Sequence, residues 1–165
     1  MPTPFDDAPS ADPAFYAALP TKHVAAGWLF RDTAGRVLLV EPAYKDNWEI
    51  PGGGVESNES PRTAAQRELR EELGIDRQPG SLLCVDWRPA VGGTRGDALR
   101  FVFDGGLIDD DTAASFVLDP SELLSWKFVD AEDLEAYLIP TMARRIRASC
   151  GATSTIYLED GRPVS

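Results

Sequence analysis

Three glutamates, Glu68, Glu71 and Glu72, fall within five consecutive positions of the chain. In a helix, steps of about 100° per residue place all three within an arc of about 100°. Ala65, Leu69 and Leu73 fall on the neighbouring arc and can face a core. Three carboxylates this close repel one another, and unpaired they would hold raised pKa values and cost stability. A divalent cation makes such a cluster favourable. Oxygen-only ligands point to Mg²⁺ or Mn²⁺ rather than zinc, and Mg²⁺ usually takes its remaining ligands from water and substrate phosphates. The spacing therefore suggests metal-dependent phosphate chemistry. The competing reading is a plain solvated helix face with i,i+4 neighbours such as Arg67 and Glu71.

The flanking residues supply the elements that would position these side chains. Ser60 suits an N-cap with Pro61 at the first helical position, and Gly74 suits the helix end. Upstream lies Pro51-Gly52-Gly53-Gly54, read as a loop. Its glycines let the backbone come close to a ligand, so Gly53 and Gly54 are candidate substrate contacts.

With those residues in place, the run from Gly53 to Ile75 resembles the Nudix box, G-x5-E-x7-R-E-U-x-E-E-x-G-U with U a bulky aliphatic residue. Gly53, Glu59, Arg67, Glu68, Leu69, Glu71, Glu72, Gly74 and Ile75 match it without a departure. The preceding Trp48-Glu49-Ile50-Pro51-Gly52 also looks like the run that enters this box. The resemblance implies an α/β fold, a Nudix-type α/β/α sandwich with a mixed sheet and the box as a loop–helix–loop beside it. It implies hydrolysis of the pyrophosphate of a nucleoside diphosphate linked to another group. Glu68, Glu71 and Glu72 would hold Mg²⁺, or Mn²⁺, with the Gly52 carbonyl as a further ligand. Glu71 or Glu68 would double as base, Arg67 would fix a glutamate, and Glu59 would support it. Glu56 is open between a metal ligand and a strand residue.

Base and ribose contacts must come from outside the box. Trp48, Trp87, Arg88, Tyr44 and Arg100 are candidates by stacking or phosphate contact; residues of these types are more often plain core or surface residues. ADP-ribose or another nucleotide sugar is weakly favoured, and a house-cleaning (d)NTP pyrophosphohydrolase is the alternative. A nucleotide-sensing domain without catalysis is a third reading. A prenyl diphosphate isomerase of the same fold is disfavoured, because one histidine and no cysteine near the box cannot supply its groups.

Composition narrows the field further. A chain of 165 residues suits one domain with one substantial core. Its net charge of −11 argues against binding a nucleic acid polymer; a small nucleotide is compatible, because a metal can bridge two anions. No apolar run approaches the ~20 residues of a membrane span. The acidic, Pro-rich start, MPTPFDDAPSADP, does not read as a signal peptide. Two cysteines, Cys84 and Cys150, are too few for a disulfide framework. A cytoplasmic location is expected. His23, the single histidine, reads as structural or exposed.

In chain order, residues 1–20 form an arm, loose to residue 12, then a helical turn whose Phe15, Tyr16 and Leu19 pack on the body. Residues 21–150 form the Nudix domain, and 151–165 a terminal strand and tail. Strands are expected at Lys22–Phe30, Arg36–Glu41, Trp48–Ile50, Ser81–Arg88, Ala98–Asp104, Phe116–Leu118, Ser125–Val129 and Ser154–Leu158. Pro89 to Asp97 is expected as a mobile loop, Asp109–Asp111 as an acidic loop, and Ser121–Leu124 as a helical turn. Asp130 should cap a helix through Leu138, and Pro140 should start a last helix. Arg144, Arg145 and Arg147 there suit the dipole of a late turn. The arm and the terminal strand, read as an edge, could each reach a neighbour, so a homodimer is compatible.

Overall fold

The computed structural model describes residues 13–92 and 96–164. The tail expected at residues 1–12 and part of the expected Pro89–Asp97 loop therefore lie outside the described residues. Among the described residues, eight strands form one mixed sheet. They are β1 (His23–Arg31), β2 (Val37–Pro42), β3 (Gly52–Gly54), β4 (Leu82–Arg88), β5 (Ala98–Leu107), β6 (Leu123–Val129), β7 (Ile156–Glu159) and β8 (Arg162–Pro163). The order is β6-β2-β1-β5-β4-β7-β8, with β3 paired antiparallel to β1 beside β2. β1 runs parallel to β5, and β4 parallel to β7; the other pairings are antiparallel.

Period-2 alternation divides the core between the two faces. Trp28, Phe30, Leu38, Val40 and Phe103 point to one side, against Ala64, Ala65, Leu69 and Leu73 of α2 (Pro61–Leu73). Leu29, Val37, Leu39, Cys84 and Val102 point to the other, against Ala143 and Ile146 of α4 (Pro140–Cys150). Helices thus cover both faces, as the α/β/α expectation requires. Fully burying a leucine such as Leu69 or Leu73 contributes about 1.5–3 kcal/mol, which anchors the apolar edge of α2 to the sheet. Trp28 reinforces this by donating its Nε1–H to the Ala65 carbonyl at 2.6 Å.

The ends of α2 follow the sequence reading. Ser60 Oγ accepts from the Thr63 amide, Pro61 opens the helix, and Gly74 donates its N–H to the Arg70 carbonyl. The glycine run does not form a loop. Gly52 to Gly54 are the strand β3, opposite Gly27, Ala26 and Ala25. Trp48–Ile50 contributes only one bridge, between Glu49 and Val40. Absent side chains let β3 lie close to both β1 and α2. Gly52 has φ +138°, and a Cβ there would overlap the Ala26 carbonyl and the Gly27 Cα. Gly52→Ala is therefore expected to cost at least about 1–3 kcal/mol of folding stability, read as a lowered midpoint in urea.

Other expectations change in the sheet's surroundings. The short helix α1 (Pro13–Ala17) buries nothing, and Phe15, Tyr16 and Leu19 are exposed. The acidic loop is a helix start: Asp109 caps α3 (Asp110–Ala114) by accepting from Thr112 N–H. Phe116–Leu118 is not a strand, and β6 already begins at Leu123 within the expected helical turn. Between β6 and Pro140 only a 3-10 turn, Leu134–Ala136, forms. Ile139 must be extended before a proline, and one turn already buries both Leu134 and Leu138. The strand β7 is internal, held by β4 and β8, so β8 is the edge. No helix among the described residues is long and apolar enough to cross a membrane.

Candidate active site

The chemistry of α2 is organised by Arg67. Its Nε and Nη2 grip the two Glu59 oxygens, each at 2.9 Å, as a bidentate pair. Its Nη1 donates to Glu68 Oε1 at 2.8 Å and to Glu71 Oε2 at 3.1 Å. Nη2 also donates to the Gly54 carbonyl at 2.9 Å. One guanidinium thus ties the box loop, β3 and two of the three glutamates together. Glu59 in turn accepts from the Glu56 amide and is held below the usual carboxylate range, chiefly by its bond from Arg67.

Glu72 meets the glycine strand directly. Its side chain is buried, and Oε2 accepts the Gly52 N–H at 2.8 Å. The contact is made by the Gly52 N–H and leaves its carbonyl, the further metal ligand that the resemblance implies, out of this bond. Burial pushes the Glu72 pKa up to about 8. Burial also raises Glu68, which lies so close to Gly53 that any Cβ there would collide with its carboxylate. Glu71 is half exposed, at 54%. Glu56 is exposed and outside any strand.

The three box glutamates are therefore gathered on one helix face beside the triple glycine. Among the described residues no group of three acidic, histidine or cysteine side chains already converges as a metal cage. The donor set nevertheless fits Mg²⁺: every donor is a carboxylate oxygen, Glu72 is buried against a backbone N–H, and Glu68, part-buried, shares the Arg67 guanidinium with Glu59 and Glu71. Mg²⁺ is usually held by one or two carboxylates plus substrate phosphates, not by an all-protein cage. Replacing Arg67 with alanine is expected to release Glu59, Glu68 and Glu71 together. Metal affinity or turnover should then fall by about 10–100-fold, measured as the Mg²⁺ concentration for half-maximal rate.

The opposite side of β3 opens to a cavity of about 410 Å³. Gly52, Gly53, Gly54, Trp48, Tyr44, Arg88 and Arg100 all line it. A second hollow of about 380 Å³ shares Gly54, Arg88 and Arg100. Trp87 does not line either; its indole N–H bonds Asp97 at 2.8 Å. The Trp48 ring meets Tyr137 edge-on and carries the Lys127 ammonium at 4.7 Å.

The sequence reading missed α4 as a cavity wall. Thr141, Met142 and Arg145 line it. Arg147 lies in the last turn of α4, as expected for the dipole, but all three of the basic trio are also paired: Arg144 with Asp160, Arg145 with buried Asp86 and Arg147 with Glu135. The available signal was Asp86 itself, a charge inside the otherwise apolar run SLLCVDWR, which demands a buried partner.

Comparison with known proteins agrees with this geometry. An RNA pyrophosphohydrolase of Halorhodospira halophila is 49% identical over 49 residues, 30% of this chain and 27% of that protein. The CTP pyrophosphohydrolase of Escherichia coli K12 is 44% identical over 73 residues, 42% of this chain and 53% of that one. The chain thus spans roughly a quarter to a half of the length of these relatives. The crystal structure of a MutT protein from Methanosarcina mazei superposes with a TM-score of 0.64 at 25% identity, covering 81% of this chain and 96% of that one. The NUDIX domain family model matches residues 21–149, and the chain belongs to the Nudix family.

Proposed function

We propose that the protein is a Mg²⁺-dependent hydrolase that cleaves the pyrophosphate of a nucleoside di- or triphosphate derivative. The observation that carries this reading is the placement of Glu68 and Glu72 against one side of β3 while the other side faces a nucleotide-sized cavity. The names of the relatives, which include an RNA and a CTP pyrophosphohydrolase, support the same reaction class. The CTP pyrophosphohydrolase favours a nucleoside triphosphate over ADP-ribose.

Glu68, Glu71 and Glu72 would hold the cation, which when bound neutralises the anionic linkage that repels nucleophiles. Arg67 fixes Glu68 and Glu71 so that both keep one orientation toward the glycine strand. Glu68 or Glu71 would take a proton from the attacking water. Of these, Glu68 is the one whose pKa burial raises above the ordinary carboxylate value, which strengthens it as a base. Arg88 and Arg100 at the shared margin of the two hollows would meet substrate phosphates.

A panel of nucleoside triphosphates and nucleoside diphosphate derivatives, incubated with Mg²⁺ or Mn²⁺ and resolved by mass, tests the reading. Metal-dependent appearance of two phosphate-bearing products from at least one of them is expected. No product from any panel member would favour a nucleotide sensor instead.

A further inference from the structure

Strand register gathers three basic side chains at one end of the sheet. His23 of β1 and Arg88 of β4 both lie opposite Ala98 of β5. Two residues further along β5, Arg100 lies between Ala25 of β1 and Asp86 of β4, and Gly54 of β3 lies opposite Ala25. Cross-strand partners and next-but-one residues share a face of the sheet. His23, Arg88 and Arg100 therefore rim one hollow, of about 380 Å³, whose floor is Ala98 and Gly54. His23 is exposed, and Gly96 lies against its ring.

This hollow carries net positive charge. Asp86 answers two guanidiniums, because it faces Arg100 in the register and accepts the Arg145 Nε–H at 2.6 Å. Arg88 forms no ion pair among the described residues. Asp97 is near, but its carboxylate pairs with Lys22 and accepts the Trp87 indole N–H. Trp87 alternates to the face opposite Arg88. Lys45 and Glu49 pair with each other at 2.5 Å and line only the larger cavity. Among the described residues no carboxylate lines the second hollow.

An oxyanion leaves water only when it is paired, and a guanidinium beside an imidazole suits a phosphate. Two strand spacings, about 10 Å, separate His23 from Arg88, so side chains leaning in from both sides of Ala98 meet on one such group. The scissile linkage lies elsewhere. Glu72 binds Gly52 and Glu68 abuts Gly53, whereas the hollow begins at Gly54, about 7 Å along β3 from Gly52. A phosphate on the sugar stands off from the pyrophosphate by a ribose ring, and the space above Gly54 is open. A monoester carries nearly two negative charges, which matches two cations better than the single charge of a diester. Resting on the pyrophosphatase reading above, we infer that the second hollow binds a phosphate monoester on the substrate's ribose, held between His23 and Arg88. His23 is then a specificity-determining residue that selects sugar-phosphorylated nucleotides over those with a free ribose.

Calorimetry in Mg²⁺ with ligands that contain no pyrophosphate tests this without turnover. The probes are the 3′,5′-bisphosphates of adenosine, guanosine, cytidine and uridine, the matching 5′-monophosphates, and inorganic phosphate. Wild type should bind at least one bisphosphate about tenfold or more tighter than its monophosphate, as hydrogen bonds to a charged group imply. His23→Gln should remove most of that ratio and leave the monophosphate unchanged, and Arg88→Gln should remove the ratio as well. Lys22→Gln, which deletes a neighbouring cation directed at Asp97, should keep it. Equal affinity for bisphosphate and monophosphate in wild type overturns the inference, as does a ratio that His23→Gln leaves intact. Loss of the ratio in Lys22→Gln to the same extent overturns it too, because general charge then explains the preference. Inorganic phosphate that binds wild type but not His23→Gln, with no bisphosphate preference, assigns the hollow to free phosphate and removes the sugar ester. Hydrolysis of the substrate panel without the preference removes only this site. The preference without hydrolysis keeps the site and counts against the pyrophosphatase reading.

Discussion

Glu72→Gln is expected to lower Mg²⁺-dependent turnover by about 10²–10³-fold, the usual loss when a group stabilising transition-state charge is removed, while the fold stays intact. Glutamine has the shape of a protonated glutamate and keeps an oxygen for the Gly52 N–H, so β3 should not move. The same substitution has a second effect of opposite sign. Burial raises the Glu72 pKa from 4.5 to about 8, so without a cation the folded protein binds that proton more tightly than the unfolded chain. Its contribution to stability is fully present below about pH 4.5 and is lost as the pH rises through about 8, by at most about 1.4 kcal/mol per unit. Carboxylates with lowered pKa values, such as Asp32, Glu59 and Asp97, act only at more acid pH, and Glu68, also raised by burial, contributes a loss of the same sign to wild type and variant alike. Wild-type protein in chelator should thus lose stability in urea between pH 5 and pH 8. Glu72→Gln should lose much less and be the more stable of the two at pH 8. A variant that is both inactive and unstable at pH 8 would mean that Glu72 serves the fold and not a cation.

The second large effect concerns stability. Asp86→Ala should cost about 3–5 kcal/mol, because it leaves the buried Arg145 charge uncompensated and removes the acceptor for the Gly161 amide. Replacing both partners with apolar residues, as in Asp86→Leu with Arg145→Met, should recover much of that loss. Urea unfolding of the single and double variants gives the comparison. A single variant within about 0.5 kcal/mol of wild type, the range of ordinary surface substitutions, would show that the pair is not dry.

How far the sequence could be read depended on whether a signal was local. The α2 ends follow from Ser60, Pro61 and Gly74, whose preferences are set by their own backbone, and all three take those places in the structure. The carboxylate face follows from spacing alone. The strand formed by Gly52 to Gly54 was hidden, because glycine normally weakens a strand. Here its lack of a side chain is what lets β3 pass between β1 and the Glu68 carboxylate. The 3-10 turn at Leu134 was misread as a helix because Asp130 and Leu134–Leu138 carry helical spacing; Pro140 restricts the chain just beyond it. Thr141 and Arg145 could not be assigned to the cavity, since their role depends on α4 packing against β4 far away in sequence. Arg145 was grouped with its neighbours by charge, whereas its partner Asp86 lies 59 residues earlier.

Direct titration of Mn²⁺ by calorimetry at pH 8, with a methylene diphosphate nucleotide present, tests the central claim that the α2 carboxylates grip a divalent cation together with a pyrophosphate. The expected result is saturable cation binding by wild type that needs the nucleotide for its full affinity and is lost in Glu68→Gln/Glu72→Gln. Equal Mn²⁺ affinity in wild type and the double variant would contradict it.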